Sequence, residues 1–182
     1  MEFTQRAVGV CLHILFVCTG NICRSPTAER LAMAYAEEMG IEDFTASSAG
    51  TAAVVAHPMH LDAALVLQQL GGDPTGFAAR QLNAKIASKA DLVVTMTAKH
   101  RDQVLEVCPD KLNKTFTLSE ASRLTSDLGA GSVSDLAALR PQLSAHERPD
   151  VLDPIGQRSD VFEAVGSQIA DFVRPLIEMC RP

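Results

Sequence analysis

The chain has 182 residues, a formal net charge of −6 and a hydrophobic fraction of 47%, which predicts one globular domain with a sizeable core. The acidic balance argues against a nucleic-acid partner, because binding to phosphate backbones requires an excess of Lys and Arg. The apolar run before Cys18 is too short to span a membrane, and five cysteines without the spacing of a disulfide framework favour a reducing, cytoplasmic location.

The first half of the chain alternates apolar, β-prone runs with helix-like stretches. An N-terminal extension over residues 1–11 precedes a predicted buried strand at Leu12–Cys18. A helix is predicted from Pro26 to Met39, because Ser25 suits a helix cap, Pro26 suits the first helical position and Gly40 suits a helix end. A second strand is expected over residues 44–48 and a second helix over residues 58–70.

The same alternation continues in the second half. The pattern predicts a short helix over 86–90, a strand over 91–96, a helix at Ala98–Val107, a strand over 114–118 and a last helix over 161–179, kinked or stopped at Pro175. Mixed helix and loop are expected over 119–154, with a short helix near 134–139. The pattern is typical of an α/β fold over residues 12–182, a single-domain three-layer sandwich with helices on both faces of a four-stranded parallel sheet.

The run V-C-T-G-N-I-C-R-S-P at residues 17–26 joins the first strand to the first helix. A loop there presents backbone N–H groups and the positive end of a helix dipole, which together bind anions. Gly20 and Asn21 tolerate the positive φ that such loops need. The sequence therefore predicts that phosphate or another oxyanion binds in a loop formed by Thr19, Gly20, Asn21, Ile22 and Cys23.

Cys18 and Arg24 stand at the two ends of this loop. The field that attracts phosphate also favours a thiolate at Cys18, and the planar Arg24 guanidinium suits two phosphate oxygens at once. The Ser25 hydroxyl is placed to donate to the sulfur. This predicts a nucleophile inside an oxyanion cradle. The alternatives are a Rossmann-like phosphate grip with an incidental buried cysteine and a non-enzymatic phosphate-binding module.

The other cysteines and the histidines carry no predicted chemistry. Cys18 and Cys23 are the only close cysteine pair, and no second pair at ligand spacing follows, so neither a metal site nor a cofactor is predicted. A structural role is expected for Cys11, Cys108 and Cys180. Surface positions are expected for His57, His60, His100 and His146.

The run at residues 17–26 resembles the signature of the low-molecular-weight protein tyrosine phosphatase family, Val-Cys-x-Gly-Asn-x-Cys-Arg-Ser-Pro, and matches it throughout. The resemblance continues with S-A-G-T at 48–51, A-R-Q-L at 79–82, D-L-V-V-T-M at 91–96 and D-P at 153–154. It implies that Cys18 attacks a phosphorylated protein to form a phosphocysteine, and that Asp153 is the general acid and then the base. Asp150 is the local alternative to Asp153. The resemblance also implies a reversible disulfide between Cys18 and Cys23, for which the alternative is a packing role of Cys23.

The leaving group is the open question. Members of the family carry aromatic walls where this chain has Ala52 to Val54 and Ile155-Gly156, which counts against phosphotyrosine. In the family, Thr at the position of Ile22 is associated with phosphoarginine, so Ile22 favours phosphotyrosine. Specificity is therefore assigned to Ile22, Val54 and Ile155, with phosphotyrosine first and phosphoarginine second.

Two further expectations concern the rest of the chain. Arsenate reductases share the predicted loop, but the thioredoxin-coupled kind needs a cysteine pair that Cys108 does not form, which leaves a variant coupled to a small thiol. Residues 119–150 lie outside the resemblance and stand just before Asp153. They are hypothesised to form a substrate-facing lid.

Overall fold

Four short strands form one parallel sheet in a computed structural model that describes residues 12–181. The strands are β1 (Leu12–Cys18), β2 (Phe44–Gly50), β3 (Leu92–Thr95) and β4 (Thr115–Thr117). Their order in the sheet is β2-β1-β3-β4, and each neighbouring pair is parallel. The predicted α/β fold is confirmed. The predicted extension over residues 1–11 and the Cys11 thiol lie outside the described residues.

Seven α-helices accompany the sheet in the described part of the chain. They are α1 (Arg24–Glu38), α2 (Leu61–Gln69), α3 (Ala84–Ser88), α4 (Ala98–Val107), α5 (Leu118–Ser126), α6 (Val133–Leu139) and α7 (Ser159–Glu178). Short 3₁₀ helices occupy Pro109–Lys114, Arg140–Gln142 and Ala145–Glu147. No helix among the described residues is both long enough and apolar enough to cross a membrane.

Both faces of the sheet are buried, because helices pack on each of them. Alternate residues of each strand point to opposite faces. Ile14 and Phe16 of β1 pack on one side with residues of α1, α5 and α7, whereas Leu15 and Val17 pack on the other side with residues of α3 and α4. Burial of one such side chain stabilises the fold by about 1.5–3 kcal/mol. The continuous apolar character of β1 thus follows from a strand covered on both faces.

Helix α5 is the main difference from the sequence prediction. The strand predicted over 114–118 ends at Thr117, and Leu118 begins a helix that was not predicted. Thr117 and Glu120 form a capping box, in which each side chain binds the backbone N–H of the other. This T-x-x-E signal was available in the sequence. Because Leu118 and Leu124 are fully buried, α5 belongs to the core, and the lid remains a prediction only for the residues after it.

Two other boundaries differ for local reasons. Helix α2 begins at Leu61 instead of residue 58, because the His60 side chain caps it by accepting the Asp62 N–H. The sequence predicted either a kink or a stop of the last helix at Pro175. Helix α7 continues through Pro175 to Glu178, so the predicted stop is wrong.

Candidate active site

The loop between β1 and α1 lies at the carboxyl end of the central strand, where open α/β sheets place their ligands. Its carbonyl groups are bound by the segment that follows β2: Thr51 N–H donates to Cys18, Ala52 N–H to Thr19 and Val54 N–H to Gly20, at 2.9, 3.0 and 3.0 Å. The N–H groups of residues 19–23 donate to no other residue within 12–181. Those amides are therefore available to an oxyanion.

Asn21 fixes the shape of the loop. Its φ is 55°, a left-handed conformation that Asn tolerates. The buried side chain donates to the hydroxyls of Ser25 and Ser48 at 2.9 Å each. Its Oδ1 accepts the backbone N–H of Arg80 at 2.8 Å. Each polar atom of the Asn21 side chain thus has a partner, and the loop is held from both sides.

The Ser25 hydroxyl lies 2.9 Å from the Cys18 sulfur. Since Ser25 Oγ already accepts from Asn21, its own hydrogen is free to donate to the sulfur. Ser48 Oγ also accepts from Asn21 and in turn donates to Glu29 Oε2 at 2.5 Å. Burial raises the pKa of the Glu29 carboxyl, while the Ser48 hydrogen bond opposes that shift. The arrangement can stabilise a thiolate at Cys18 by a charge-assisted hydrogen bond.

Arg24 joins the loop to Asp153. The guanidinium is 4% exposed. It donates through Nη1 to the Val151 carbonyl at 3.0 Å and through Nη2 to Asp153 Oδ2 at 2.7 Å. Asp153 Oδ1 accepts the Ile155 N–H at 3.1 Å. The Asp153 carboxyl therefore stands beside the cation of the loop, while 46% of its side chain remains exposed.

One cavity is lined by most of the predicted site residues, but not by Asn21 or Ser25. It has a volume of about 250 Å³ and its lining includes Cys18, Arg24, Asp153 and the three predicted specificity residues Ile22, Val54 and Ile155. Asp150, the alternative candidate for the acid, is not among the lining residues. Its Oδ1 instead accepts the Ala98 N–H at the start of α4, at 2.8 Å. The geometry thus favours Asp153 over Asp150 as a group that can reach a bound substrate.

A larger groove of about 780 Å³ lies along α1 and the edge strand β2. Its polar lining includes Glu29, Glu37, Glu42 and Asp73, and neither cysteine nor histidine lines it. The smaller cavity remains the candidate site, because it holds the thiol, the cation and the acid together.

His100 was expected at the surface, and that prediction is wrong. Only 4% of the residue is exposed. Its Nε2 lies 2.8 Å from Thr19 Oγ1 in the loop, and its Nδ1 lies 2.9 Å from Thr97 Oγ1. Burial, and secondarily the positive charge of Arg24, lowers the pKa of the imidazole to about 4. His100 is therefore a neutral bridge between α4 and the loop at physiological pH.

The free thiols fall into different environments. Cys23 is buried at the N-terminal cap of α1, and burial followed by the charge at Cys18 raises its pKa to about 12. Cys108 donates to Asp110 Oδ1 at 3.2 Å and packs on the face of the sheet covered by α3 and α4. Cys18, Cys23, Cys108 and Cys180 are all free in the structure. The Cys18–Cys23 disulfide stays a prediction, and Cys108 offers no support for arsenate reduction.

Arg80, Ser48 and Glu29 also support the loop, and sequence reasoning assigned them no role. Arg80 Nε donates to the Ser48 carbonyl at 2.7 Å, in addition to its backbone bond to Asn21. Ser48 and Arg80 belong to the S-A-G-T and A-R-Q-L segments, which contributed to the sequence analysis only through the family resemblance. These two segments were the sequence signal that could have indicated the supporting roles of Ser48 and Arg80.

Comparisons with known proteins agree with this geometry. A family model described as low molecular weight phosphotyrosine protein phosphatase matches residues 13–129. Low molecular weight protein-tyrosine-phosphatase Etp of Escherichia coli (strain K12) is 37% identical over 107 residues, which cover 59% of this chain and 69% of that protein. Protein-arginine-phosphatase of Geobacillus stearothermophilus is 29% identical over 166 residues, which cover 91% of this chain and 94% of that protein.

Among solved structures, the low molecular weight protein tyrosine phosphatase from T. tengcongensis matches with a TM-score of 0.74 and 30% identity, over 92% of this chain and 98% of that one. Cys18 and Arg24 lie inside the residues that the family model matches, and Asp153 lies beyond them.

Proposed function

The chain belongs to the low molecular weight phosphotyrosine protein phosphatase family, and we propose that it hydrolyses phosphotyrosine in proteins through a phosphocysteine on Cys18. The observation that carries the proposal is the grouping of the Cys18 thiol, the Arg24 guanidinium and the Asp153 carboxyl around one cavity. Each has a partner that suits its role: Ser25 for the thiol, and Arg24 and Asp153 for each other.

In the first step, the Cys18 thiolate attacks phosphorus in line with the leaving oxygen. The S–P bond forms as the P–O bond to the tyrosine oxygen breaks. Arg24 and the free amides of residues 19–23 bind the equatorial oxygens, where the transition-state charge is spread. Protonated Asp153 donates its proton to the leaving phenolate, a contribution typically worth about 10²–10⁴-fold.

In the second step, the Asp153 carboxylate takes a proton from water, whose oxygen attacks the phosphocysteine. The S–P bond breaks and its electron pair returns to the Cys18 sulfur. The Ser25 hydroxyl, 2.9 Å away, donates to the departing thiolate. Inorganic phosphate leaves the loop, and Asp153 is protonated again for the next cycle.

The choice of phosphotyrosine depends on the walls of the cavity. Ile22 lines it from the loop, and Val54 and Ile155 stand at its mouth, 38% and 44% exposed. Three aliphatic side chains offer apolar contact to a phenyl ring but no aromatic stacking. A relative named as a tyrosine phosphatase supports this choice, because it is 37% identical to the chain, whereas the protein-arginine-phosphatase is 29% identical.

Hydrolysis of phosphoarginine is the second candidate. It is supported by the similarity to the protein-arginine-phosphatase, which extends over 91% of this chain, and by the lack of aromatic side chains among the described residues that line the cavity. Because both reactions use the same nucleophile and loop, only the leaving group distinguishes them.

The deciding experiment compares kcat/KM on one peptide sequence carrying either phosphotyrosine or phosphoarginine. The proposal predicts the higher value with phosphotyrosine, and a higher value with phosphoarginine would transfer the assignment to the second candidate. Cys18→Ser is the control for both substrates: it removes turnover and retains phosphate binding. Full activity in this variant would contradict any mechanism through Cys18.

We also propose that the protein works in the cytoplasm on phosphorylated proteins. A reducing compartment keeps a thiolate nucleophile from being oxidised, and the four described cysteines are free. Inorganic phosphate, as the product, is the expected oxyanion in the loop.

A further inference from the structure

Helix α5, which precedes the segment that carries Asp153, contains a buried carboxylate. Glu120, in the first turn of α5, is fully buried. Its Oε1 accepts a hydrogen bond from Arg140 Nε at 3.0 Å and forms a salt bridge with Arg148 Nη1 at 3.2 Å. Its Oε2 accepts the Thr117 N–H at 3.2 Å. A carboxylate is buried only when it is well paired, so the two arginines are required partners of Glu120.

The two arginines tie the chain between α6 and the acid to the rest of the fold. The Arg140 guanidinium lies 3.8 Å from the centroid of the Phe116 ring on β4, and donates to the Leu112 carbonyl at 3.1 Å. Arg148 Nη2 donates to the Arg140 carbonyl at 3.0 Å. Residues 140–148 are therefore held by a buried charge and cannot shift without exposing or unpairing it.

Ser119, the residue before Glu120 in α5, also binds the segment that leads to Asp153. Ser119, 1% exposed, donates to the Pro149 carbonyl at 2.7 Å. Two consecutive residues of α5, Ser119 and Glu120, thus bind two consecutive residues of the other segment, Pro149 and Arg148.

The backbone after Pro149 is attached to the sheet and to the loop. Val151 N–H donates to the Met96 carbonyl at 2.9 Å, and the Val151 carbonyl accepts from Arg24. Asp153 follows two residues later with half of its side chain in solvent, and its carboxyl is bound only by Arg24 and the Ile155 N–H among residues 12–181. The position of the Asp153 carboxyl therefore depends on where the backbone of residues 148–151 is anchored.

We infer that Glu120 and Ser119 are positioning residues, which hold Arg148 and Pro149 so that Asp153 stands within reach of the leaving oxygen. The inference rests on the role proposed above for Asp153. Arg140 and Arg148 lie beyond residues 13–129, which the family model matches, so the cluster combines a residue of the matched region with two outside it.

This role predicts a selective defect. A general acid must stand at hydrogen-bond distance from its target, and a displacement of about 1 Å can cost about 100-fold in rate. The nucleophile is held separately, by Ser25 and Asn21. Loss of the cluster should therefore impair protonation of the leaving group while attack by Cys18 and oxyanion binding remain intact.

The test measures kcat/KM on phenyl phosphate, whose leaving group needs a proton, and on 2,4-dinitrophenyl phosphate, whose leaving group does not. Glu120→Gln and Ser119→Ala are compared with the wild type, and Ser119→Ala is included because it removes one hydrogen bond with little risk to folding. Glu147→Gln is the matched control, since Glu147 lies in the same segment but binds only Ser144 among the described residues. Inhibition by vanadate reports on the oxyanion cradle.

Both test variants are expected to lose about 10-fold or more on phenyl phosphate and less than about 2-fold on the dinitrophenyl ester, with unchanged vanadate inhibition. Equal losses on both esters, or no loss on phenyl phosphate, would overturn the inference. Asp153→Asn separates this failure from that of the proposed function. If Asp153→Asn shows the selective loss and Glu120→Gln does not, only the positioning role is wrong. If Asp153→Asn itself shows none, the acid assignment falls, and the positioning role with it.

Discussion

Replacing His100 by glutamine tests whether the loop is held by a neutral imidazole. The structure places His100 Nε2 at 2.8 Å from Thr19 Oγ1, with 4% of the residue exposed. Burial lowers its pKa from the ordinary value of 6.5 to about 4. Since protonation is disfavoured in the folded state, the unfolded chain gains a proton first as the pH falls. The stability due to the neutral imidazole is thus fully present above the unfolded pKa of 6.5 and is lost as the pH falls towards 4.

The magnitude follows from linkage between the two pKa values. As the pH falls from about 7.5 to about 5, the excess of protons bound by the unfolded form at this residue rises from about 0.1 to about 0.9, which lowers the free energy of unfolding by about 2 kcal/mol. Glutamine keeps an N–H that can reach Thr19 but does not titrate. The variant should therefore lose about 2 kcal/mol less than the wild type over this range, whatever its stability at neutral pH.

The assay is urea unfolding of both proteins under reducing conditions at the two pH values, with the free energy extrapolated to water. Every other titrating group is common to the two proteins, so the difference between their pH dependences isolates His100. Equal losses in the wild type and the variant would mean that His100 has the same pKa in the folded and unfolded states, and would contradict the prediction.

Three further predictions concern the loop and its surroundings. In Gly50→Ala the added Cβ would stand 2.4 Å from the Thr19 carbonyl oxygen, so thermal unfolding should show a loss of about 1–3 kcal/mol in stability, with reduced kcat. Gly131→Ala, where the nearest atom to the added Cβ is at 3.7 Å, is the control. Equal effects of the two substitutions would contradict the clash. Because burial raises the pKa of Cys23 to about 12, its disulfide with oxidised Cys18 should form slowly at neutral pH and faster as the pH rises. Mass spectrometry after peroxide treatment follows the rate. A rate independent of pH would contradict attack by the Cys23 thiolate. Ile22→Thr should raise the ratio of kcat/KM for phosphoarginine over phosphotyrosine peptides, and an unchanged ratio would remove Ile22 from the specificity residues.

Local signals in the sequence predicted most of the elements around the site. The apolar run of β1 and the Ser25-Pro26 pair near the start of α1 are each local signals. The helix begins at Arg24 with Cys23 as its N-cap residue, so the predicted Ser25 cap is wrong. Because the signals on both sides are local, the loop between β1 and α1, with Asn21 at positive φ, could be assigned before the fold was known. Helix α5 was missed because its T-x-x-E start directly follows a strand of only three residues.

Contacts across the chain could not be predicted in this way. His100 is buried and hydrogen-bonded to Thr19, 81 residues earlier, and nothing near His100 in the sequence indicates this contact. The Arg24 contact with Asp153 spans 129 residues and was not predicted; the family resemblance implied only that Asp153 belongs to the site. Chemistry that depends on such contacts requires the fold.

Trapping of the phosphoenzyme tests whether Cys18 is the nucleophile. The wild-type protein and the Asp153→Asn variant, in which the second step should be slowed, are mixed with an activated aryl phosphate, quenched within milliseconds and digested for mass spectrometry. The phosphocysteine mechanism predicts up to one phosphate per chain, on the sulfur of Cys18, with a larger amount in Asp153→Asn. A phosphate on any other residue, or turnover without a phosphoenzyme in either protein, would contradict it.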